Sequence, residues 1–193
     1  MAEALTCSLN VHRFLPLTHA EGPGWRSCVW LQGCSRHCEG CFSPKTWSHE
    51  SHQLLNPEEI IALSLEDKRV EGITILGGEP FEQPEPLAAL LSLAWETHLS
   101  TVVFTGFTHE QLVEKKVYAI DTALRHIDVL IDGPYLQAQR DFSRPLVGSA
   151  NQRFLFLTDR YTMRDFSPNR IEIRIRKDGT IALNGMGEMF GKN

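Results

Sequence analysis

Three cysteines, Cys34, Cys38 and Cys41, fall on one short stretch directly after a strand-like run, and this spacing limits the chain more than any other feature. Thiols so close in sequence need a tight loop at the end of an element, open to whatever they ligate. The preceding segment, Trp25 to Gln32, is rich in β-branched and aromatic residues and runs into Gly33, which predicts a strand ending where the loop begins. The chain has five cysteines, an odd number, and their clustering suits metal ligation better than a disulfide framework. Cys7 and Cys28 stand apart, in segments that read as tail and strand, and are assigned structural roles.

On one loop, three thiolates can hold three irons of a cubane and leave the fourth iron without a protein ligand, free to bind substrate. The alternative is a zinc site completed by His37 or His49. Zinc ligands usually come as two separated doublets, and no second doublet follows here, so iron–sulfur is the better reading. A cluster ligated wholly by protein, as in a non-catalytic electron carrier, would need Cys7 or Cys28 as its fourth ligand. Arg36 and His37 lie between ligands, where solvated loop residues are the commoner outcome.

The rest of the chain alternates strand and helix signals. Asn56-Pro57-Glu58-Glu59 carries an N-cap, a first-turn proline and a capping-box glutamate, predicting a helix from about Pro57 to Lys68. Ile73 to Leu76 reads as a buried strand ending in Gly77-Gly78, and Pro86 to His98 as a helix packed on a sheet. Ser100 to Phe104 and Asp128 to Ile131 repeat the strand signal, with helices over His109 to Lys116 and Tyr118 to His126 between them. This alternation implies parallel βα units. After an irregular stretch from Gly133, Arg153 to Leu157 is a further strand, and Ile171 to Arg176 with Thr180 to Leu183 a hairpin about Lys177-Asp178-Gly179.

A length of 193 residues fits a single domain, with a core of about 10–158 and a C-terminal extension over 159–193. A formal charge of -5 and the lack of a dense basic run argue against a nucleic-acid partner. With no apolar stretch near the ~18 residues that span a bilayer and no leader-like start, a membrane role is not expected and the chain is read as cytoplasmic.

Gly77-Gly78-Glu79-Pro80 follows a strand directly, where glycines let a ligand approach the backbone and a carboxylate can accept from an ammonium. Alone it reads equally as a connector bearing a surface charge. In open α/β sheets, however, ligands bind beyond the carboxyl ends of the strands, where the cysteine loop also lies. Together, the cysteine triad and this turn resemble the radical S-adenosylmethionine (SAM) superfamily. More narrowly, the chain resembles the activating proteins of anaerobic ribonucleoside-triphosphate reductase through Gly22-Pro23-Gly24, Gly33-Cys34, Gly40-Cys41, Thr46-Trp47, Thr105-Gly106, Asp128 to Gly133, Gly148-Ser149 and Asn151-Gln152. It departs from that family's common pattern at Ser43, where asparagine is usual, and at Glu79, where aspartate is frequent.

The resemblance implies an incomplete (βα)6-type partial barrel with a C-terminal hairpin added. It implies a [4Fe–4S] cluster on Cys34, Cys38 and Cys41, and SAM held by Gly40, Cys41, Phe42, Gly77, Gly78, Glu79 and Pro80, with Asp132 near the same pocket. The implied activity is reductive cleavage of SAM to a 5′-deoxyadenosyl radical that installs a glycyl radical on a partner of the class III ribonucleotide reductase type. Flavodoxin or ferredoxin is the implied reductant, and no catalytic residue beyond the cluster and SAM is required. Two rivals remain at this stage. One is a radical SAM enzyme acting on a small molecule or peptide; the other is a non-catalytic zinc or iron–sulfur protein.

Overall fold

A computed structural model describes residues 7–175 and 177–185. Arg176, the expected end of one hairpin strand, lies outside the described residues. The main sheet has seven strands: β1 (Leu9–Thr18), β2 (Arg26–Leu31), β3 (Gln53–Leu55), β4 (Gly72–Gly77), β5 (Ser100–Phe104), β6 (Val129–Asp132) and β7 (Arg153–Phe156). Their spatial order is β3-β1-β2-β4-β5-β6-β7. The central four, β2, β4, β5 and β6, pair in parallel, whereas β1 on one side and β7 on the other join antiparallel.

The parallel centre follows from the helices between its strands, since parallel neighbours need a crossover. These are α1 (Pro57–Leu65), α2 (Pro84–Glu96), α3 (His109–Glu114) and α4 (Tyr118–Arg125). α1 starts as its sequence dictates: the Asn56 side chain accepts from the Glu59 backbone N–H at 2.8 Å, and Glu59 returns the bond to the Asn56 N–H at 2.9 Å. It ends at Leu65, short of Lys68, because the Asp67 carboxylate accepts from the Arg69 backbone N–H at 3.0 Å and stabilises a turn.

Two features go beyond the expectations. Leu9–Thr18, for which no element was expected, is the longest described strand; its alternation is interrupted by pairing irregularities between Val11 and Arg13 and between Leu15 and Thr18. β7, expected as a strand, has a direction that the sequence pattern left open. The connection from Gly133 to Gln152 holds no crossover helix, just a short 3-10 turn, Gln137–Gln139, and an isolated bridge between Arg140 and Ser149, and β7 returns antiparallel beside β6.

One sheet face carries the helices over a core that includes Val29, Leu31, Ile73, Ile75, Val103 and Leu130. Alternate residues of the same strands, Cys28, Trp30, Val102, Val129 and Ile131, point to the other face, covered by loops instead. Hence the central strands are buried on both sides yet one side remains open enough for a site.

Arg26, at the start of β2, is fully buried. Its guanidinium donates to Thr74 Oγ1 (2.7 Å), Ile73 O (2.8 Å), Ser100 O (2.9 Å), Ser100 Oγ (2.9 Å) and Pro23 O (3.1 Å). Each acceptor is a neutral oxygen, so the charge is held by geometry instead of an opposing ion, and β2, β4, β5 and the turn before β2 are locked in one register. Replacing it leaves several buried acceptors unpaired. Arg26→Lys should lower the unfolding free energy by about 3 kcal/mol in urea titrations; a loss below about 1 kcal/mol would remove this role.

Candidate metal centre and ligand cavity

The parallel strands β2, β4 and β5 end side by side, and their last inward residues, Trp30, Leu76 and Phe104, form an apolar wall. Trp30 and Leu76 are cross-strand partners. This wall backs a cavity of about 360 Å³ bordered also by Cys34, Cys38, Cys41, Phe42, Gly77, Gly78 and Glu79. Thus the cysteine loop and the glycine turn, separated by more than a strand and a helix in sequence, share one cavity at the carboxyl ends of the strands.

The loop's shape is set by backbone bonds at both of its ends. Gly33 N–H donates to Thr46 O (2.7 Å) and Cys34 N–H to Trp47 O (3.2 Å). Gln32 Nε2 donates to Ser48 O at 2.6 Å. Inside the loop, Cys41 N–H donates to Cys38 O (3.1 Å), and Ser43 N–H donates to Cys41 Sγ at 3.3 Å. Ser43 therefore supports a thiol through its backbone, which its departure from asparagine leaves unchanged. All three loop cysteines are free thiols of intermediate exposure, and burial pushes the Cys34 thiol above its usual value. Ligation must therefore displace a proton from it.

Among the described residues, no three His, Cys, Asp or Glu side chains converge on a point that would hold a single metal ion. The histidines that could complete a zinc site are engaged elsewhere. His37 stacks on Trp47 with ring centres 4.7 Å apart, and His49 bonds Glu82 at 2.9 Å. Neither borders the cavity. Cys28 is fully buried beneath the wall and Cys7 stands outside the site.

The Gly77–Pro80 turn is pressed against the loop. Gly78 N–H donates to Leu31 O (2.8 Å) and Glu79 N–H to Gly33 O (2.9 Å). A Cβ on Gly78 would lie 2.1 Å from the Gly33 carbonyl oxygen, and Gly77 holds φ near +105°, so both positions need glycine. Glu79 is almost fully buried; its carboxylate accepts from Thr105 Oγ1 (2.8 Å), Gly106 N–H (2.8 Å) and Phe81 N–H (3.0 Å). Burial outweighs these donors and raises its pKa to about 7. With about four acceptor positions on a carboxylate, one remains for a ligand. Pro80 is buried beside it and starts a 3-10 turn, outside the cavity border.

Phe42 borders the cavity, packing edge-on against Tyr135 with ring centres 5.4 Å apart. Gly40 does not reach it; its open face meets Gln137 and Tyr135. Asp132 also stands behind the border. Its carboxylate accepts from Arg153 Nε (2.9 Å) and the His109 N–H (2.7 Å), joining β6 to β7 and α3, while the adjacent Gly133 faces the cavity. Gly148 and Gln152 border the cavity as well, and Gln152 Oε1 accepts from Gly148 N–H at 2.9 Å.

Several lining residues were not foreseen from sequence. Arg36, passed over as a solvated loop residue, lines the cavity; its guanidinium lies 4.8 Å from the Phe107 ring centre, and its buried Nε has no hydrogen-bond partner. Arg13 and Glu21 come from β1 and the turn after it, and Leu183, Asn184 and Gly185 from the C-terminal hairpin. Only the missed strand β1 could have signalled Arg13, whose guanidinium sits 4.6 Å from the Trp30 ring centre. Met186 and Gly187, which follow Gly185 in the sequence, lie outside the described residues.

The chain matches the family model described as a 4Fe–4S single cluster domain over residues 20–155, which places it in a class of proteins carrying one such cluster. It is 33% identical over 153 residues to the anaerobic ribonucleoside-triphosphate reductase-activating protein of Vibrio cholerae serotype O1, covering 75% of this chain and 96% of that protein. The proteins of the same description from Escherichia coli K12 and Enterobacteria phage T4 are 30% and 29% identical, each 96% covered. The chain belongs to the family of anaerobic ribonucleoside-triphosphate reductase-activating proteins.

Also on the cavity border, Glu21 is buried, accepts from the Gly185 N–H at 3.1 Å, and has its pKa raised to about 7, chiefly by burial. Its folded pKa exceeds the ordinary 4.5, so the folded state holds the proton more tightly than the unfolded chain. The resulting stabilisation is complete below about pH 4.5 and lost as pH rises to about 7. In urea titrations of the metal-free protein, Glu21→Gln should remove about 3 kcal/mol of that decline. An unchanged slope would show Glu21 to be ordinary.

Proposed function

We propose that this protein is a radical SAM activase that installs a glycyl radical on an anaerobic ribonucleotide reductase. The observation carrying this reading is the convergence of three free thiols, Cys34, Cys38 and Cys41, and the Gly77–Glu79 turn on one cavity. The donor set fits an iron–sulfur cluster: three free thiols border one cavity, and among the described residues no three His, Cys, Asp or Glu side chains form a single-ion site. When bound, the cluster and SAM supply an electron and a 5′-deoxyadenosyl radical able to take a hydrogen atom from a backbone glycine.

The chain's own residues have binding and shielding tasks. Cys34, Cys38 and Cys41 would hold the cluster. Gly77 and Gly78 would let the methionyl part of SAM lie against the backbone, with Gly40, Cys41, Phe42 and Pro80 shaping the surrounding loops. Glu79 has one acceptor position left for an ammonium, and an arriving cation would draw its raised pKa down and fix the carboxylate as an anion. The Trp30, Leu76 and Phe104 wall keeps water away from a reactive intermediate. Asp132 would act from behind, holding Gly133 in place through its bonds to Arg153 and the His109 N–H. No acid or base is needed.

This reading treats the chain as one catalytic domain with a core of about 10–158, its sheet an incomplete barrel open at the cluster end. It also assigns a flavodoxin or ferredoxin as electron donor and the cytoplasm as workplace; no described helix is long and apolar enough to cross a membrane. Anaerobic reconstitution with iron and sulfide, reduction, and addition of SAM should yield 5′-deoxyadenosine, with at least a hundredfold loss in Cys38→Ala. With the reductase present, electron paramagnetic resonance should detect a glycine-centred radical on that partner. Deoxyadenosine without a partner radical would point to another substrate, and no deoxyadenosine would end the radical SAM reading.

A further inference from the structure

The C-terminal strands β8 (Ile171–Ile175) and β9 (Ile181–Gly185) form a two-stranded sheet of their own, beyond the residues that match the family model. Their register pairs Ile173 with Leu183 and Ile175 with Ile181 on one face, and Glu172 with Asn184 and Arg174 with Ala182 on the other. The polar face is the one docked on the body. Thr18 Oγ1 donates to Glu172 at 2.7 Å, Asn184 Nδ2 donates to Thr18 Oγ1 at 2.8 Å, and Arg174 donates to Leu17 O. The apolar face is outward: Ile173 is 58%, Ile175 74%, Ile181 63% and Leu183 46% exposed.

An amphipathic hairpin would ordinarily bury its aliphatic face, and a lone two-stranded sheet has little stability to spare. Here specific hydrogen bonds hold it the other way round, leaving a contiguous aliphatic surface of the kind that marks interaction sites. That surface begins at the cavity. Leu183 belongs both to the apolar face and to the cavity border, and Asn184 and Gly185 continue the border inward. From Leu183 the face runs outward through Ile173 to Ile175 and Ile181 beside the turn.

We propose that this outward face is the docking surface for the protein substrate, receiving an extended segment of the reductase polypeptide beside the residue that enters the cavity. The inference rests on the activase reading above. A partner glycine can reach the cavity only inside a polypeptide that continues on both sides of it, and the lip it crosses at Leu183 is continuous with the aliphatic face. An extended segment suits the surface, because its alternate side chains can lie along the outward aliphatic row of Ile173, Ile175, Ile181 and Leu183.

The test uses the full chain with its cluster and the intact anaerobic reductase of the same source. Ile175→Lys combined with Ile181→Glu replaces an apolar cross-strand pair by an oppositely charged one, which keeps the hairpin's pairing. Both positions lie outside the cavity border. The expected result is at least tenfold weaker reductase binding and a matching rise in the reductase concentration needed for half-maximal radical yield, with partner-independent 5′-deoxyadenosine formation unchanged. Ile175→Val with Ile181→Val should restore binding to within twofold. A benzophenone amino acid at position 175 should cross-link to the reductase on illumination. Unchanged binding by the charged variant, or cross-linking only to a second copy of this chain or to its own residues, overturns the proposal. A wild-type protein that forms deoxyadenosine but never binds reductase defeats the activase reading itself, a result separable from loss in the variant alone.

Discussion

The site depends on one close approach of backbone to backbone, where the turn after β4 meets the start of the cysteine loop. The Glu79 N–H bonds the Gly33 carbonyl, the Gly78 N–H bonds the Leu31 carbonyl, and there is no room between them for a Cβ on Gly78. Parallel pairing of β2 with β4 makes this possible, since it brings Leu31 level with Gly77 so that both chains leave the sheet at the same height. That register is in turn held from the opposite end of the strands by the buried Arg26 guanidinium. A slip of one residue would invert the facing of every side chain on β2, exchanging Trp30 for Leu31 in the cavity wall. Fold and site therefore share one constraint.

What the sequence made legible was local. The three cysteines, the glycine turn and the capping signals at Asn56 each act through a few neighbouring residues, and each lies where its local chemistry predicts. β1 was hidden because its bulges break the two-residue period, and with it went Arg13 and Glu21, which meet the cavity only through the pairing of β1 with β2. Asp132 illustrates a different limit. A carboxylate at the carboxyl end of a central strand suggests ligand contact, yet Arg153 and the His109 N–H claim both its oxygens. Which neighbour reaches a buried carboxylate first is decided by tertiary packing, and no short motif records it.

The hairpin shows the same limit in a sharper form. Its strands and turn were readable from alternation and from Lys177-Asp178-Gly179, but alternation states only that two faces differ, not which one is inward. The usual assumption buries the isoleucines. The observed seating is decided by Thr18, which bonds both Glu172 and Asn184, and by the Leu17 carbonyl that receives Arg174. These bonds satisfy groups that would otherwise be left unpaired against the body, a larger penalty than leaving aliphatic carbon in water.

Electrostatics then marks two carboxyls on the cavity border. Near the cysteine loop, Glu79 is held by three neutral donors, with the Arg36 guanidinium close enough to lower its pKa and one Arg36 nitrogen left without a partner. Beside the hairpin, Glu21 has a single backbone donor and the nearby charge of Arg13. Burial leaves both carboxyls near half-ionised at neutral pH, so each can become neutral or charged at small cost according to what binds beside it. The cavity border thus carries two buried carboxyls, each beside a guanidinium, Glu79 with Arg36 and Glu21 with Arg13, and in each pair the cation offsets part of the cost that burial places on the anion.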